Sequence, residues 1–267
     1  MRVIPGHHGP VASTSLPHPE AAFIGRSRAL NDVGLLVREN RLVTLVGAGG
    51  CGKTRLAIEV AARVAATDGG AVAWIDLAST TTERDVDDAV VASLGLQTAA
   101  GASRVRILEH LERRSCVLVV DNCEHLIDAA ALLVAEIHQR CGHVHVLATS
   151  REPLSLTDEI VWRVPSLSVP NEPTLAGVLE SEAGLLLVDR IGRARGGYEA
   201  TVEDLPALVR ISHSSMRASS DSDRDILFMI RPCCSTGAIP VRPQRCGSGR
   251  VGRVRVFRSH RGDGARR

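Results

Sequence analysis

The sequence has 267 residues, enough for one large domain or two small ones with a substantial hydrophobic core. Aromatic residues make up only 2% of the chain, so Leu, Val, Ile and Ala have to form that core. No apolar run approaches the roughly 18 residues needed to span a bilayer, and the N-terminus lacks a secretory signal pattern, so we expect a soluble, cytoplasmic protein without a membrane partner. The seven cysteines show neither C-x-x-C nor zinc-finger spacing, which favours reduced and buried thiols.

The net charge of +2 is unevenly distributed along the chain. From Ser212 to the C-terminus there are 12 Arg against 4 Asp, which leaves about −6 for the first 211 residues by subtraction. This asymmetry predicts a boundary between two different parts of the chain. At the other end, residues 1–20 are rich in Pro, Gly and His without periodicity, and we predict a flexible segment there.

The first predicted elements are a helix and a strand. Apolar residues on helical spacing predict a helix that opens at residues 23–26, with the sequence Phe-Ile-Gly-Arg, and runs to Asn40. The apolar run of residues 42–46 then predicts a buried strand.

The strand leads into residues 47–54, Gly-Ala-Gly-Gly-Cys-Gly-Lys-Thr, which fit the phosphate-binding pattern G-x-x-x-x-G-K-[ST]. In such a loop the backbone amides surround phosphate oxygens, the lysine ammonium reaches the β and γ phosphates, and the hydroxyl binds Mg²⁺. An amphipathic stretch, residues 56–64, follows on helical spacing and would direct its N-terminus at the phosphates. The alternative, a glycine-rich turn ahead of a helix, is disfavoured by the combination of strand, loop and helix. The candidate nucleotide-binding residues here are Gly47, Gly49, Gly50, Cys51, Gly52, Lys53, Thr54 and Arg55.

Lys53 is the only lysine in the chain, and all other fully ionised basic side chains are arginines. Retention of an ammonium at this one position indicates that a compact point charge is needed there, because a planar guanidinium does not replace it.

The remaining elements alternate between strands and helices. We predict strands at 71–77, 116–121 and 144–149, and helices at 85–94, 105–113 and 126–139. Alternation after a phosphate loop predicts an α/β fold of the P-loop NTPase class, a parallel sheet flanked by helices. Its phosphate site would lie at the carboxyl ends of the strands.

Two later strands end in residues that suit the rest of a nucleotide site. Asp121 ends a buried strand about 70 residues after the loop and is a candidate to hold Mg²⁺, usually through water. Glu124 is a candidate for orienting an attacking water, although a Glu opening a helix would also favour the positive end of its dipole. Arg151 follows the next strand and is a candidate sensor of the γ phosphate, the alternative being a surface arginine that begins a loop.

Five segments together carry a family resemblance. They are residues 23–26, 42–57, 117–126 with Asp-Asn-Cys-Glu-His, 147–154 with Thr-Ser-Arg-Glu-Pro-Leu, and 161–167. They resemble the nucleotide-binding (NB-ARC-like) domain of the large ATP-binding regulators of the LuxR type, which belong to the STAND class of signalling ATPases. The resemblance extends from about residue 21 to residue 211.

The resemblance implies an ATP/ADP switch in a transcriptional regulator, with slow or no hydrolysis, in which ADP holds a closed form and exchange for ATP opens it. Lys53 and Thr54 would bind phosphate and Mg²⁺, Asp121 would be the acid associated with Mg²⁺, and Arg151 would sense the γ phosphate. The residues expected near the adenine are Phe23, Ile24, Gly25 and Arg26. Partners would be the nucleotide and other protein chains, or a second copy of this chain.

The family pattern stops near residue 211. We predict a nucleotide-binding domain at 21–165 and the start of a helical lid at 166–211, with helices at 180–195 and 202–211. The family continues into a Gly-Leu-Pro-Leu-Ala-like segment, which this chain does not have. Residues 212–267 are instead rich in Arg, Ser and Gly and are predicted to be an irregular, disordered tail without a DNA-binding motif.

The tail has two explanations. A frameshift or truncated gene is our hypothesis, because the composition changes inside a helix, and translation of the neighbouring reading frames tests it. The alternative is a basic tail that binds nucleic acid through phosphates, although only Phe228 and Phe257 could stack on bases.

Two other functions compete with the switch. One is an active AAA-like or replication-initiator-like ATPase that depends on Glu124, and the other is a truncated remnant that binds nothing tightly.

Overall fold

The computed structural model describes residues 16–19, 21–68, 71–97 and 103–215. Within these residues there are five strands and eight α-helices. The strands are β1 (Leu42–Val46), β2 (Ala71–Asp76), β3 (Cys116–Asp121), β4 (Val144–Ser150) and β5 (Ile160–Arg163). The helices are α1 (Ser27–Glu39), α2 (Lys53–Asp68), α3 (Glu83–Ser93), α4 (Ser103–Glu112), α5 (Ile127–Arg140), α6 (Leu175–Glu180), α7 (Glu182–Arg195) and α8 (Leu205–Ser215).

All five strands are parallel and follow the order β2-β3-β4-β1-β5. Every residue of β1 and β3 is buried, as expected of strands covered on both faces. This architecture confirms the predicted α/β fold of the P-loop NTPase class, with helices on both sides of a parallel sheet. Because all the strands are parallel, the loop after β1 lies at the same edge of the sheet as the carboxyl ends of β3 and β4.

Two apolar clusters cover the two faces of the sheet. Residues of α1 and α2 pack on one face, where Leu56 and Val119 are fully buried. Residues of α3, α4 and α5 pack on the other face, around Leu118 and Leu133. Consecutive residues of β3 therefore point into different clusters, as strand geometry requires.

The edge strand β5 was not predicted. It has only four residues, and intermediate and exposed residues alternate along it. Such a short segment lacks the continuous apolar run that marks the central strands.

The start of α1 differs from the prediction. The helix begins at Ser27, since Gly25 and Arg26 have φ angles of 71° and 55°. These left-handed conformations are incompatible with a helix that opens at Phe23.

The helix predicted at 180–195 is observed as α7, which begins two residues later, because Ser181 separates it from the short helix α6, which was not predicted. Ser181 has extended backbone angles, and its side chain accepts a hydrogen bond from the Gly184 amide, 3.1 Å away. It is therefore the N-cap of α7. Helices α6, α7 and α8 share a small apolar cluster of their own around Leu187 and Leu208.

Both predicted ends lie mostly outside the described residues. Of the N-terminal segment 1–20, only residues 16–19 are described, and Leu16 packs against the apolar cluster of α1 and α2. Helix α8 continues past residue 211 to Ser215, and the predicted tail beyond Ser215 is not described. None of the helices in the described ranges is both long and apolar enough to cross a membrane.

Candidate nucleotide-binding site

The predicted site residues gather around one cleft at the carboxyl ends of β1, β3 and β4. The cleft has a volume of about 850 Å³. Most of the predicted site residues line it, and Gly25, Gly47 and Asp121 do not. The predicted residues that line it are Phe23, Ile24, Arg26, Gly49, Gly50, Cys51, Gly52, Lys53, Thr54, Arg55, Glu124 and Arg151.

The backbone of the loop between β1 and α2 depends on glycine. Gly50 and Gly52 have φ angles of 71° and 87°, which glycine adopts without strain. A Cβ atom at Gly47 would lie 2.8 Å from the Cys51 sulfur, and one at Gly52 would lie 2.8 Å from the Arg26 guanidinium. The loop therefore folds tightly enough to present its amides, with the N-terminus of α2, to an anion.

The Lys53 ammonium is held at the centre of this loop. Its Nζ atom donates to the carbonyl oxygens of Gly47 and Ala48, at 2.9 and 3.1 Å. The residue is only 7% exposed. An ammonium has three donors, so the loop carbonyls orient the cation while a donor stays available for a phosphate oxygen.

Asp121 is buried behind Thr54. Its Oδ1 atom accepts hydrogen bonds from the Thr54 hydroxyl at 2.9 Å and from the Thr149 hydroxyl at 2.6 Å. Burial raises the pKa of Asp121, and the negative charges of Asp76 and Glu124 add to this, while the two hydroxyl hydrogen bonds oppose it. A carboxylate and a hydroxyl in this arrangement are hard oxygen donors, which fit Mg²⁺.

Asn122 connects the ends of three strands. Its amide Nδ2 donates to Asp76 Oδ1 and to Asp121 Oδ2, both at 3.1 Å, and its backbone N–H donates to the Thr149 hydroxyl at 3.0 Å. Sequence reasoning did not assign a role to Asn122 or Asp76. Their only signal was their position at strand ends next to a predicted site residue.

Glu124 and Arg151 form an ion pair at the edge of the cleft. Arg151 Nε lies 3.4 Å from Glu124 Oε1, and the side chains are 63% and 12% exposed. The other oxygen of Glu124, Oε2, is buried and has no hydrogen-bond partner in the described part of the chain. The sequence placed both residues near the γ phosphate but gave no indication that they pair with each other.

Arg55 holds the segment before α1 in place. Its Nη2 atom donates to the Ala21 carbonyl at 2.9 Å, and its guanidinium lies 5.7 Å from the centre of the Phe23 ring. It also pairs with Glu59 at 2.7 Å. Arg55 lines the cleft as predicted for a nucleotide-binding residue, and its guanidinium is engaged with protein groups.

Arg26 lies between the loop and the region after β5. The residue is 8% exposed, and its Nη2 atom donates to the Pro165 carbonyl at 3.1 Å. Burial lowers the pKa of Arg26, an effect that Cys51 and Glu182 partly offset. The Arg26 backbone N–H donates to the Glu182 carboxylate.

Helix α7 contributes lining residues that the sequence did not predict. Leu186 and Arg190 line the cleft from the lid side, and Leu167 precedes the lid. Arg190 makes no hydrogen bond or ion pair with any other residue that the structure describes. No motif marks these positions, because lid helices are recognised only by their apolar periodicity.

Comparison with known proteins gives the class of the domain. A family model described as an AAA domain matches residues 37–154. The matched span contains the phosphate loop, Asp121 and Arg151. Together with the strand order of the sheet, this match identifies a P-loop ATPase-type domain, a class that binds nucleotide and usually Mg²⁺.

Two mycobacterial relatives resemble longer parts of the chain. A Mycobacterium tuberculosis protein provisionally named an HTH-type transcriptional regulator is 41% identical over 164 residues, which are 61% of this chain and 17% of that protein. An uncharacterized protein of the same species is 36% identical over 178 residues, which are 66% of this chain and 43% of that protein. The chain therefore spans less than half the length of either relative.

Among solved structures, the chain is similar to a signal transduction ATPase with numerous domains (STAND) that has a tetratricopeptide repeat sensor, from Pyrococcus horikoshii. The TM-score is 0.43 at 17% identity, covering 84% of this chain and 34% of that one. It is also similar to Cdc6p from Pyrobaculum aerophilum, with a TM-score of 0.47 at 17% identity, covering 79% of this chain and 57% of that one.

Proposed function

We propose that the P-loop ATPase-type domain of this chain is an ATP/ADP-binding switch of a LuxR-type transcriptional regulator, with slow or no hydrolysis. The observation that carries the proposal is the convergence of Lys53, Thr54, Glu124 and Arg151 on one cleft, with Asp121 directly behind Thr54.

The phosphate end of the ligand is assigned to the loop. The backbone amides and the Lys53 ammonium bind the β and γ phosphates, and the dipole of α2 favours the same negative charge. Thr54 and Asp121 hold Mg²⁺, whose charge offsets the phosphates and the buried carboxylate. The adenine end lies beside Phe23, Ile24 and Arg26, which line the same cleft.

The switch is assigned to Arg151. This side chain is largely exposed, and within the described part of the chain its one ion pair is with Glu124, at 3.4 Å. Because the arginine remains largely exposed to solvent, its guanidinium is accessible to a γ phosphate that competes with the Glu124 carboxylate. ATP and ADP would therefore leave Arg151 and Glu124 in different arrangements.

The role in transcription is proposed from the relatives. The 41% identity over 164 residues to a protein provisionally named an HTH-type transcriptional regulator supports it. The chain spans only 17% of that protein. A role of this chain in transcription is therefore a proposal.

Glu124 favours a second candidate, an active ATPase. Its buried Oε2 atom has no hydrogen-bond partner among the described residues and belongs to a side chain at the cleft. A carboxylate in that position could accept a proton from an attacking water.

Steady-state ATP hydrolysis of the full chain, with wild type compared with Glu124→Gln, tests the two candidates. Active enzymes commonly turn over at about 1 s⁻¹ or faster, and the switch predicts a rate at least about a hundredfold lower together with tight ADP and ATP binding. Fast multiple turnover that Glu124→Gln abolishes would contradict the switch and favour the ATPase.

A further inference from the structure

Glu182, the first residue of α7, joins two distant segments through its carboxylate. One oxygen, Oε1, accepts a hydrogen bond from the Arg26 backbone N–H. The other, Oε2, accepts from the Ser168 backbone N–H at 3.1 Å. Hydrogen bonds to an ionised acceptor are stronger than neutral ones, so one side chain fixes both segments to the lid helix.

Ser168 returns the contact. Its hydroxyl accepts from the Glu182 backbone N–H at 3.0 Å, and its carbonyl accepts from the Ala183 N–H at 3.0 Å. These amides belong to the first turn of α7, which has no partners for them within the helix. The start of α7, the region after β5 and the turn before α1 therefore meet at a single junction.

Gly25 allows the close approach at this junction. Its φ angle is 71°, and a Cβ atom there would lie 2.8 Å from Glu182 Cγ. Any other residue would therefore both strain the turn and push Glu182 away. The positive φ angle of Gly25 and its lack of a Cβ atom therefore both favour the close contact with Glu182.

The junction continues into the phosphate loop through Arg26. Its guanidinium donates to the Pro165 carbonyl and packs against Gly52, where a Cβ atom would lie 2.8 Å from Nη1. Gly52 directly precedes Lys53. Arg26 is thus held by Glu182 through its backbone and touches the phosphate loop through its side chain.

The same face of α7 reaches the cleft. Residues 182, 186 and 190 are spaced by four, so they lie one above another on the helix surface. Leu186 and Arg190 line the cleft, one and two turns beyond the anchored residue. The position of Glu182 therefore sets where these two side chains lie relative to the phosphate loop.

We propose that Glu182 is a positioning residue for nucleotide binding, which fixes the Gly25–Arg26 turn and α7 relative to the phosphate loop and so couples the lid to the bound nucleotide. This inference rests on the proposed nucleotide-binding function. Glu182 does not line the cleft, and it acts through Arg26 on one side and through Leu186 and Arg190 on the other.

The test compares Glu182→Ala, Glu182→Gln and the control Glu180→Ala in the full chain. Glu180 is exposed, two residues away, and its side chain makes no hydrogen bond or ion pair with the described residues. The two readouts are ADP affinity by calorimetry and hydrogen exchange of peptides that cover residues 23–30 and 47–54, measured without nucleotide.

We expect Glu182→Ala to weaken ADP binding at least tenfold and to accelerate exchange locally in both peptides, including the loop that Glu182 does not touch. Glu182→Gln keeps one acceptor oxygen and should restore part of the affinity, and it serves in place of the alanine variant if that fails to fold. Glu180→Ala should behave as wild type.

Wild-type ADP affinity together with unchanged exchange in Glu182→Ala or Glu182→Gln would overturn the inference while leaving the proposed function intact. Faster exchange spread evenly over the whole chain would also overturn it, because that result indicates only a loss of stability. If wild type itself binds no ADP, the proposed function fails, and the exchange readout alone decides whether Glu182 controls the loop.

Discussion

At the scale of single residues, the site contains a buried carboxylate whose negative charge a bound cation would compensate. Asp121 is 2% exposed, and its neighbours Asp76 and Glu124 are also acidic. Among the described residues, its carboxylate accepts hydrogen bonds only from the Thr54 and Thr149 hydroxyls and the Asn122 amide. A divalent cation beside Thr54 would supply the positive charge that these neutral donors cannot.

Replacing Asp121 with Asn therefore has opposite effects on stability and on binding. Because burial raises the pKa, the folded state disfavours the ionised carboxylate relative to the unfolded chain, so ionised Asp121 lowers stability at pH 7. We expect Asp121→Asn to raise the melting temperature without nucleotide, by about 2–4 °C for each kcal/mol relieved. In wild type we expect Mg²⁺ to raise the affinity for ATP at least tenfold. Asp121→Asn should lose this gain.

Calorimetric titration of ATP with and without Mg²⁺, combined with thermal melts, measures both effects. Asp76→Asn is the matched control, since Asp76 also contacts Asn122 and does not contact Thr54. A full Mg²⁺ effect in Asp121→Asn would contradict the assignment of Asp121.

At the scale of elements, α7 is the part of the lid that contacts the cleft. Arg190 lies on the face of α7 that also carries Glu182 and Leu186, and it makes no ion pair with the other described residues. Arg193, one turn further on, pairs with Asp189 at 2.8 Å. The two arginines share a helix and differ in whether their charge faces the cleft.

We therefore expect Arg190→Gln to weaken binding of ADP roughly tenfold, about 1.4 kcal/mol, and to weaken adenosine binding far less. The reason is that an uncompensated guanidinium at the cleft attracts the phosphates and not the neutral nucleoside. Titrations of ADP and adenosine into Arg190→Gln and into the control Arg193→Gln measure this difference. Equal losses for the two ligands, or an equal effect of Arg193→Gln, would show that Arg190 does not contact the phosphates.

At the scale of the whole molecule, the central sheet could be predicted because buried parallel strands are continuous apolar runs. Such runs predict strands β1 to β4, and the G-x-x-x-x-G-K-[ST] motif predicts the phosphate loop. Strand β5 could not be predicted, since its four residues alternate between intermediate and exposed. The helix break at Ser181 was not predicted either. A serine inside an apolar periodic stretch does not by itself indicate a new helix, and its role as an N-cap is evident only from its backbone angles.

The site was predictable where it follows strand ends and unpredictable where it depends on tertiary contacts. Lys53, Thr54 and Asp121 could be placed together from the parallel topology. The junction at Glu182 joins residues 156 and 14 positions away, and no local pattern indicates such contacts. The ion pair between Glu124 and Arg151 likewise depends on the register of β3 and β4.

The most direct test of the central claim is calorimetric binding of ADP and of ATP with Mg²⁺ to the full chain, in wild type and in Lys53→Ala. Arg28→Ala is the control, because it also removes one positive charge and its side chain is 95% exposed. We predict that wild type and the control bind both nucleotides and that Lys53→Ala loses at least a hundredfold in affinity. Failure of wild type to bind either nucleotide, or undiminished binding by Lys53→Ala, would contradict it.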